Sequence, residues 1–213
     1  MLKMFVPAAL CLLAAPEASA FEMGRFRYQP DLPPPASADA QPQPEFDDVL
    51  LGSSFGTEGT RWLTFGGLGA YDFEDNTDAN VHGMVSYFVV EDLEVGFELA
   101  LWGHFQDGGD ALSLNPNLVV RWHFAHDAEK DWTTYADFGI GVLFASDNVP
   151  GDGTGVNFTP RAGVGFTHRL GEGETRLIAG LRWHHISNAR INGEARNPSR
   201  DAPAIYAGIA FPF

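Results

Sequence analysis

The chain has 213 residues and a formal net charge of −15, and because Lys3 and Glu17 cancel, residues 21–213 carry all of it. Such an excess leaves no positive face for phosphate backbones and excludes nucleic acid as a partner. Beyond residue 20 no apolar run reaches the roughly 18 residues of a membrane-crossing helix. The lone cysteine, Cys11, lies before that point, so neither a helical anchor nor a disulfide framework is expected.

Residues 1–20 read as a secretory signal peptide: Lys3 supplies a short basic start, Phe5 to Ala15 an apolar core, and Ala18-Ser19-Ala20 a small-residue cleavage site. Residues 21–58 form a leader rich in proline (Pro30, Pro33, Pro34, Pro35, Pro42, Pro44), read as flexible or loosely docked. The third region, 59–213, alternates apolar and polar residues in eight segments: about 61–72, 80–90, 93–105, 112–125, 132–144, 156–169, 174–187 and 202–213. The third is the clearest, with Leu93, Val95, Phe97, Leu99 and Leu101 against Glu94, Gly96, Glu98 and Ala100.

Two all-β architectures give this pattern, a soluble barrel or sandwich with the apolar face inside and a membrane barrel with it outside. The opposite face decides between them. It mixes Glu94, Glu98, Arg121, Asp137, Arg161, Arg176 and Arg182 with mid-strand glycines, which suits a narrow lumen where opposite charges pair. Aromatics near segment ends (Trp62, Tyr71, Tyr87, Trp102, Trp122, Trp132, Phe144, Trp183) read as interface girdles. The expectation is an eight-stranded antiparallel transmembrane β-barrel in a bacterial outer membrane. Connections 90–92, 126–131 and 170–173 are then periplasmic, and 73–79, 106–111, 145–155 and 188–201 face outside. The terminal alternation Ile205, Ala207, Ile209, Phe211, Phe213 resembles the strand by which the barrel-assembly machinery recognises its clients.

The chemistry-bearing stretch is segment seven together with the connection after it. Leu177, Ala179, Leu181, Trp183, His185 and Ser187 share one face, so a potential base and nucleophile end an apolar stripe. A serine hydroxyl needs such a base, and the base needs a carboxylate behind it. Asp201 has the parity of lipid-facing Ile205, with Glu194 as the alternative acid; the Asn188 amide could meet an oxyanion. Arg190, Arg196 and Arg200 are candidates for substrate phosphates. Acidic loop residues (Glu74, Asp75, Asp78, Asp107, Asp110) could hold divalent cations, against a plain solubilising role. His184 points opposite to His185 and reads as a lumen residue bracing the strand through hydrogen bonds; the other histidines lack metal-ligand spacing, and no metal or cofactor is expected.

The run His185-Ile186-Ser187-Asn188-Ala189, followed by Asn197-Pro198 and a last strand, resembles the PagL family of outer-membrane lipid A 3-O-deacylases. The resemblance covers the eight-strand region as architecture and about 183–201 as a specific motif. It implies a serine esterase acting on lipopolysaccharide in the outer leaflet, with His185 and Ser187 as a dyad, an acid soon after the Asn-Pro pair and Asn188 at the oxyanion. Aspartate stands where the characterised enzymes have glutamate, the preceding loop is longer by about two residues, and Arg190 stands where the family often has glycine. Rival readings are a non-catalytic barrel with a structural or adhesive role and an acyltransferase using the same dyad; a homodimer stays open.

Overall fold

In the computed structural model the residues described are 55–191, 193–194 and 197–213. The expected signal peptide, the leader up to residue 54 and Arg196 lie outside them. The strands are β1 (Arg61–Tyr71), β2 (Thr77–Val90), β3 (Leu93–Phe105), β4 (Ala111–His126), β5 (Trp132–Val149), β6 (Thr154–Phe158), β7 (Arg161–Arg169), β8 (Arg176–Ile186) and β9 (Arg200–Pro212). All pairings are antiparallel, and β1 closes on β9, so the sheet has no free edge.

β6 and β7 are one stave of the wall. Val142 pairs with Phe158 and Gly139 with Arg161, while Phe158 bridges Ser187 and Arg161 pairs with His184. The register is therefore unbroken on both sides, and the barrel has eight staves. Pro160 ends the ladder locally because it has no N–H to give. Segment seven is thus β8.

The apolar face looks outward: Phe65, Leu118, Phe138, Leu181 and Ile205 are all exposed. The lumen is filled by the polar face. Arg161 grips Glu98 with two hydrogen bonds (2.5 and 2.8 Å), Arg182 binds Asp137 (2.6 Å) and Arg121 binds Glu94 (2.9 Å), all buried. Between these layers the hydroxyls of Tyr135 and Tyr206 meet at 2.8 Å, with Arg121 and Arg182 stacked on the rings. Each ring lies across a glycine of the next strand: a Cβ at Gly165 would come within 2.5 Å of the Tyr135 hydroxyl, and one at Gly180 within 2.5 Å of the Tyr206 hydroxyl. That close approach is the reason for mid-strand glycines here. The gap beside Glu98, Arg121 and Tyr206 holds only about 10 Å³, so the interior is a packed core and not a pore there.

Two of the expected girdle aromatics are inside instead. Trp62 and Trp102 are fully buried, because strand parity places them on the lumen face with Glu94 and Glu98. Phe55, which the sequence assigns to the leader, is also buried, against Trp62, Phe88 and His123 with the Arg176 guanidinium over its ring.

Candidate active site

β8 and β9 run side by side until their last rungs, where His185 pairs with Asp201 and Ile186 with Arg200. Odd residues of both strands point outward, so His185 and Asp201 lie next to each other on the membrane-facing wall. Ser187 comes one strand repeat beyond His185 and is locked by a two-way bridge, Phe158 N–H to Ser187 O (2.7 Å) and Ser187 N–H to Phe158 O (3.1 Å). The His185 N–H donates to Pro160 O (3.2 Å), and Pro160 returns nothing. The broken stave therefore clasps the backbone of both residues.

Side chains complete the set. His185 Nδ1 lies 2.9 Å from Asp201 Oδ1, and His185 Nε2 lies 2.8 Å from Ser187 Oγ. A carboxylate can only accept, so Nδ1 carries the proton; in the neutral ring Nε2 is then the acceptor to which the Ser187 hydroxyl donates. Trp183 stacks on the His185 ring from below (5.5 Å). Ser187 is 9 % exposed and the Asp201 side chain 51 %, so the hydroxyl is sheltered while the acid is wetted. The aspartate needs no longer side chain, because its strand position is directly opposite the imidazole.

Asn188 is tied from several directions. Its N–H donates to Asn197 Oδ1 (2.9 Å), its amide donates to Thr154 Oγ1 (3.1 Å), and its Oδ1 accepts the Arg190 N–H (3.0 Å). Ala189 and Arg190 are left-handed (φ 51° and 63°) in a turn closed by Ile191 N–H to Asn188 O (3.1 Å). Arg190 thus stands on a backbone that favours glycine. Sequence reasoning missed Thr154 and Asn157, of which Thr154 braces Asn188 from β6 while Asn157 holds Thr154 (3.2 Å). Small polar residues in an ordinary strand carry no signal for such a role.

The remaining candidates separate. Glu194 pairs loosely with Arg190 (3.7 Å), both largely exposed, and does not stand behind His185. Arg200 is a correction to its expected role at a substrate phosphate. It is 4 % exposed and points into the lumen, where Asp78 (2.8 Å), Gln106 (2.6 Å) and Asp72 (3.6 Å) occupy its donors. Asp78 is likewise buried and is paired with His104 (2.7 Å) and Arg200. Burial pushes the Asp72 carboxyl up. The N–H of Glu74, the Asn76 amide and N–H, and the Arg200 charge outweigh that and hold it below the usual carboxylate range. His184 faces the lumen as expected, but it stacks on Trp102 (4.6 Å), and its Nε2 has no hydrogen-bond partner among the described residues.

Fold and site together define a transmembrane β-barrel with a Ser-His-Asp hydrogen-bonded run on its outer wall. The family model described as lipid A 3-O-deacylase (PagL) matches residues 82–210, and the chain belongs to that family. Its place is the bacterial outer membrane. Among solved structures it is similar to the outer-membrane enzyme PagL, with 19 % identity, TM-score 0.52, and 70 % of this chain and 99 % of that one covered. It is also similar to Neisserial surface protein A, with 13 % identity, TM-score 0.54, and 72 % and 97 % covered; at these identities the likeness concerns the fold. No curated protein matches the sequence.

Proposed function

We propose that this chain is a serine esterase that removes the 3-O-linked acyl chain of lipid A in the outer leaflet. The observation that carries the reading is the run Ser187–His185–Asp201, with bonds of 2.8 and 2.9 Å, on the lipid-facing wall. A soluble esterase draws its substrate into a cleft, whereas this hydroxyl faces the layer in which lipid A resides.

In the first half-reaction Ser187 Oγ attacks the ester carbonyl as its proton passes to His185 Nε2. The imidazolium then returns that proton to the departing 3-hydroxyl of the sugar, leaving an acyl-serine. Water, deprotonated by the same nitrogen, releases the fatty acid and restores Ser187. Asp201 holds the tautomer and balances the imidazolium charge. Asn188, next to Ser187 in the chain, is the residue proposed to stabilise the oxyanion. No cofactor is used.

An apolar recess of about 700 Å³ on the outer wall beside Trp183 fits the acyl chain; Ala136, Ala162 and Gly163 are its small residues, and Phe138, Leu181 and Ile205 line it too. Arg190, exposed and only loosely paired, is the described cation near Ser187 that can meet a lipid A phosphate, and Arg196 is proposed to join it.

Mass spectra of lipid A from cells expressing the wild type are expected to show loss of one 3-O-acyl chain. Ser187→Ala is expected to abolish it, a fall of at least about 10³-fold. An unaltered lipid A profile with a folded wild-type barrel points instead to a non-catalytic barrel, and acyl gain points to transfer.

A further inference from the structure

Arg200 immediately precedes the carboxylate that meets His185, and the two side chains leave β9 in opposite directions. The start of β9 needs support. Its ladder with β1 begins only at Ala204, paired with Ala70, so Arg200–Pro203 are hydrogen-bonded on the β8 side alone. The connection that leads into it offers little: its described backbone bonds (Ile191 to Asn188, Gly193 to Arg190, Asn197 to Glu194) all stay within the loop. The outer surface of Asp201 is half exposed, and His185 is its hydrogen-bond partner there.

Across the gap left by β1, side chains replace the missing ladder. Arg200 Nη1 donates to Asp78 Oδ1 (2.8 Å) on β2, Nη2 donates to Gln106 Oε1 (2.6 Å) just past β3, and Nε faces Asp72 Oδ2 (3.6 Å) just past β1. Asp78 is held in turn by His104 of β3 (2.7 Å), whose other nitrogen bonds Ser113 of β4 (2.8 Å). Arg200, Asp78, His104 and Ser113 are all buried. A planar, fork-shaped cation with one partner on β2 and another just past β3 fixes both position and direction, which one point charge does not.

We propose that Arg200 is a positioning residue for the reaction: it clamps the first residue of β9 across β1 to β2 and the end of β3, and so sets where Asp201 meets the His185 ring. The proposal rests on the Ser187–His185–Asp201 reading. It converts Arg200 from a ligand of the substrate into a part of the scaffold that acts on the chemistry through Asp201.

Displacements of about 1 Å at a reacting group can cost on the order of 10²-fold in rate. Deacylation of lipid A in mixed micelles by the full-length barrel is therefore expected to show kcat reduced by roughly 10- to 100-fold in Arg200→Met with KM nearly unchanged. Arg200→Lys, which keeps the charge beside Asp78 but loses the fork, is expected to fall between the two. Gln106→Ala removes one anchor from the loop edge and is expected to lower kcat a few-fold. It serves also where Arg200→Met does not fold, as judged by heat-modifiable electrophoretic mobility. A folded Arg200→Met or Gln106→Ala barrel with wild-type kcat overturns the proposal, as does a change confined to KM, which would mean contact with the substrate. Inactivity of the wild type, by contrast, defeats the esterase reading itself.

Discussion

Ala189 and Arg190 occupy left-handed backbone (φ 51° and 63°) within three residues of Ser187, a conformation that costs side-chain-bearing residues about 1–2 kcal/mol each. The surrounding bonds from Asn188 to Asn197, Thr154 and the Arg190 N–H hold the turn in place despite that cost. If backbone shape alone mattered, glycine would serve better at position 190; what arginine adds is an exposed guanidinium three residues along the chain from Ser187. Arg190→Gly separates the two. It is expected to keep or raise barrel stability and to raise KM for phosphorylated lipid A by about 10-fold, the equivalent of one charge-assisted hydrogen bond. Lipid A stripped of phosphate is expected to show no such penalty. Equal loss on both substrates would remove Arg190 from phosphate recognition. The same residue-scale logic explains why Asp201 and not Glu194 stands behind the imidazole: a rung of the β8–β9 ladder fixes one, while an exposed loop carries the other.

At the scale of strands and connections, alternation makes the outward and inward faces of β3, β4, β5 and β8 legible from sequence, and with them the shared face of His185 and Ser187. The errors arise where position along a segment stands in for parity. Trp62 and Trp102 sit near segment ends, yet parity sends both inward. A last segment starting at residue 202 puts Arg200 in a loop; β9 begins at Arg200, and its first side chain therefore enters the lumen. No periodicity reveals the three-dimensional partner set of that arginine, because its partners lie on or beside three different strands. One of them, Asp72 at the start of the β1–β2 loop, has a pH signature. Its carboxyl is held below the ordinary carboxylate range, so its contribution is present above about pH 4 and is lost as pH falls through the lowered value. Proteolysis of the loop, followed from about pH 6 down to about 3, is expected to accelerate in the wild type. Asp72→Asn is expected to start faster and to change less over that range. Identical pH profiles for the two would show that Asp72 contributes no linkage.

For the molecule as a whole, the charge of −15 has to be reconciled with a lumen crossing a membrane. The middle of the lumen is balanced: Glu94, Glu98 and Asp137 face Arg121, Arg161 and Arg182 in contacts of 2.5–2.9 Å. Part of the excess acid lies in residues 21–54, which hold six carboxylates against two arginines, and the rest in the connections; the pocket at the Ser187 end gathers Asp72, Glu74, Asp107 and Asp152 with Asp201 of β9. Under the proposed function, such a rim is expected to repel a phosphorylated headgroup except at Arg190, so that the ester reaches Ser187 from the membrane side. The balanced interior in turn supports the outer wall on which the site is carried, and its strength rests on pairing more than on charge as such. Removing one member of a buried pair leaves the other uncompensated at a cost of about 3–5 kcal/mol, whereas replacing both by apolar groups can be neutral. Glu98→Gln, which leaves Arg161 without its carboxylate, is accordingly expected to lower the urea-unfolding free energy of the refolded barrel in vesicles by about 3–5 kcal/mol. The double variant Glu98→Met with Arg161→Met is expected to recover most of that loss and to retain deacylation, because neither residue touches the reacting groups. If the double variant proves as unstable as the single one, lumen stability depends on the ions themselves; if it is stable but inactive, the ion pair transmits order to the wall in a way packing alone does not supply.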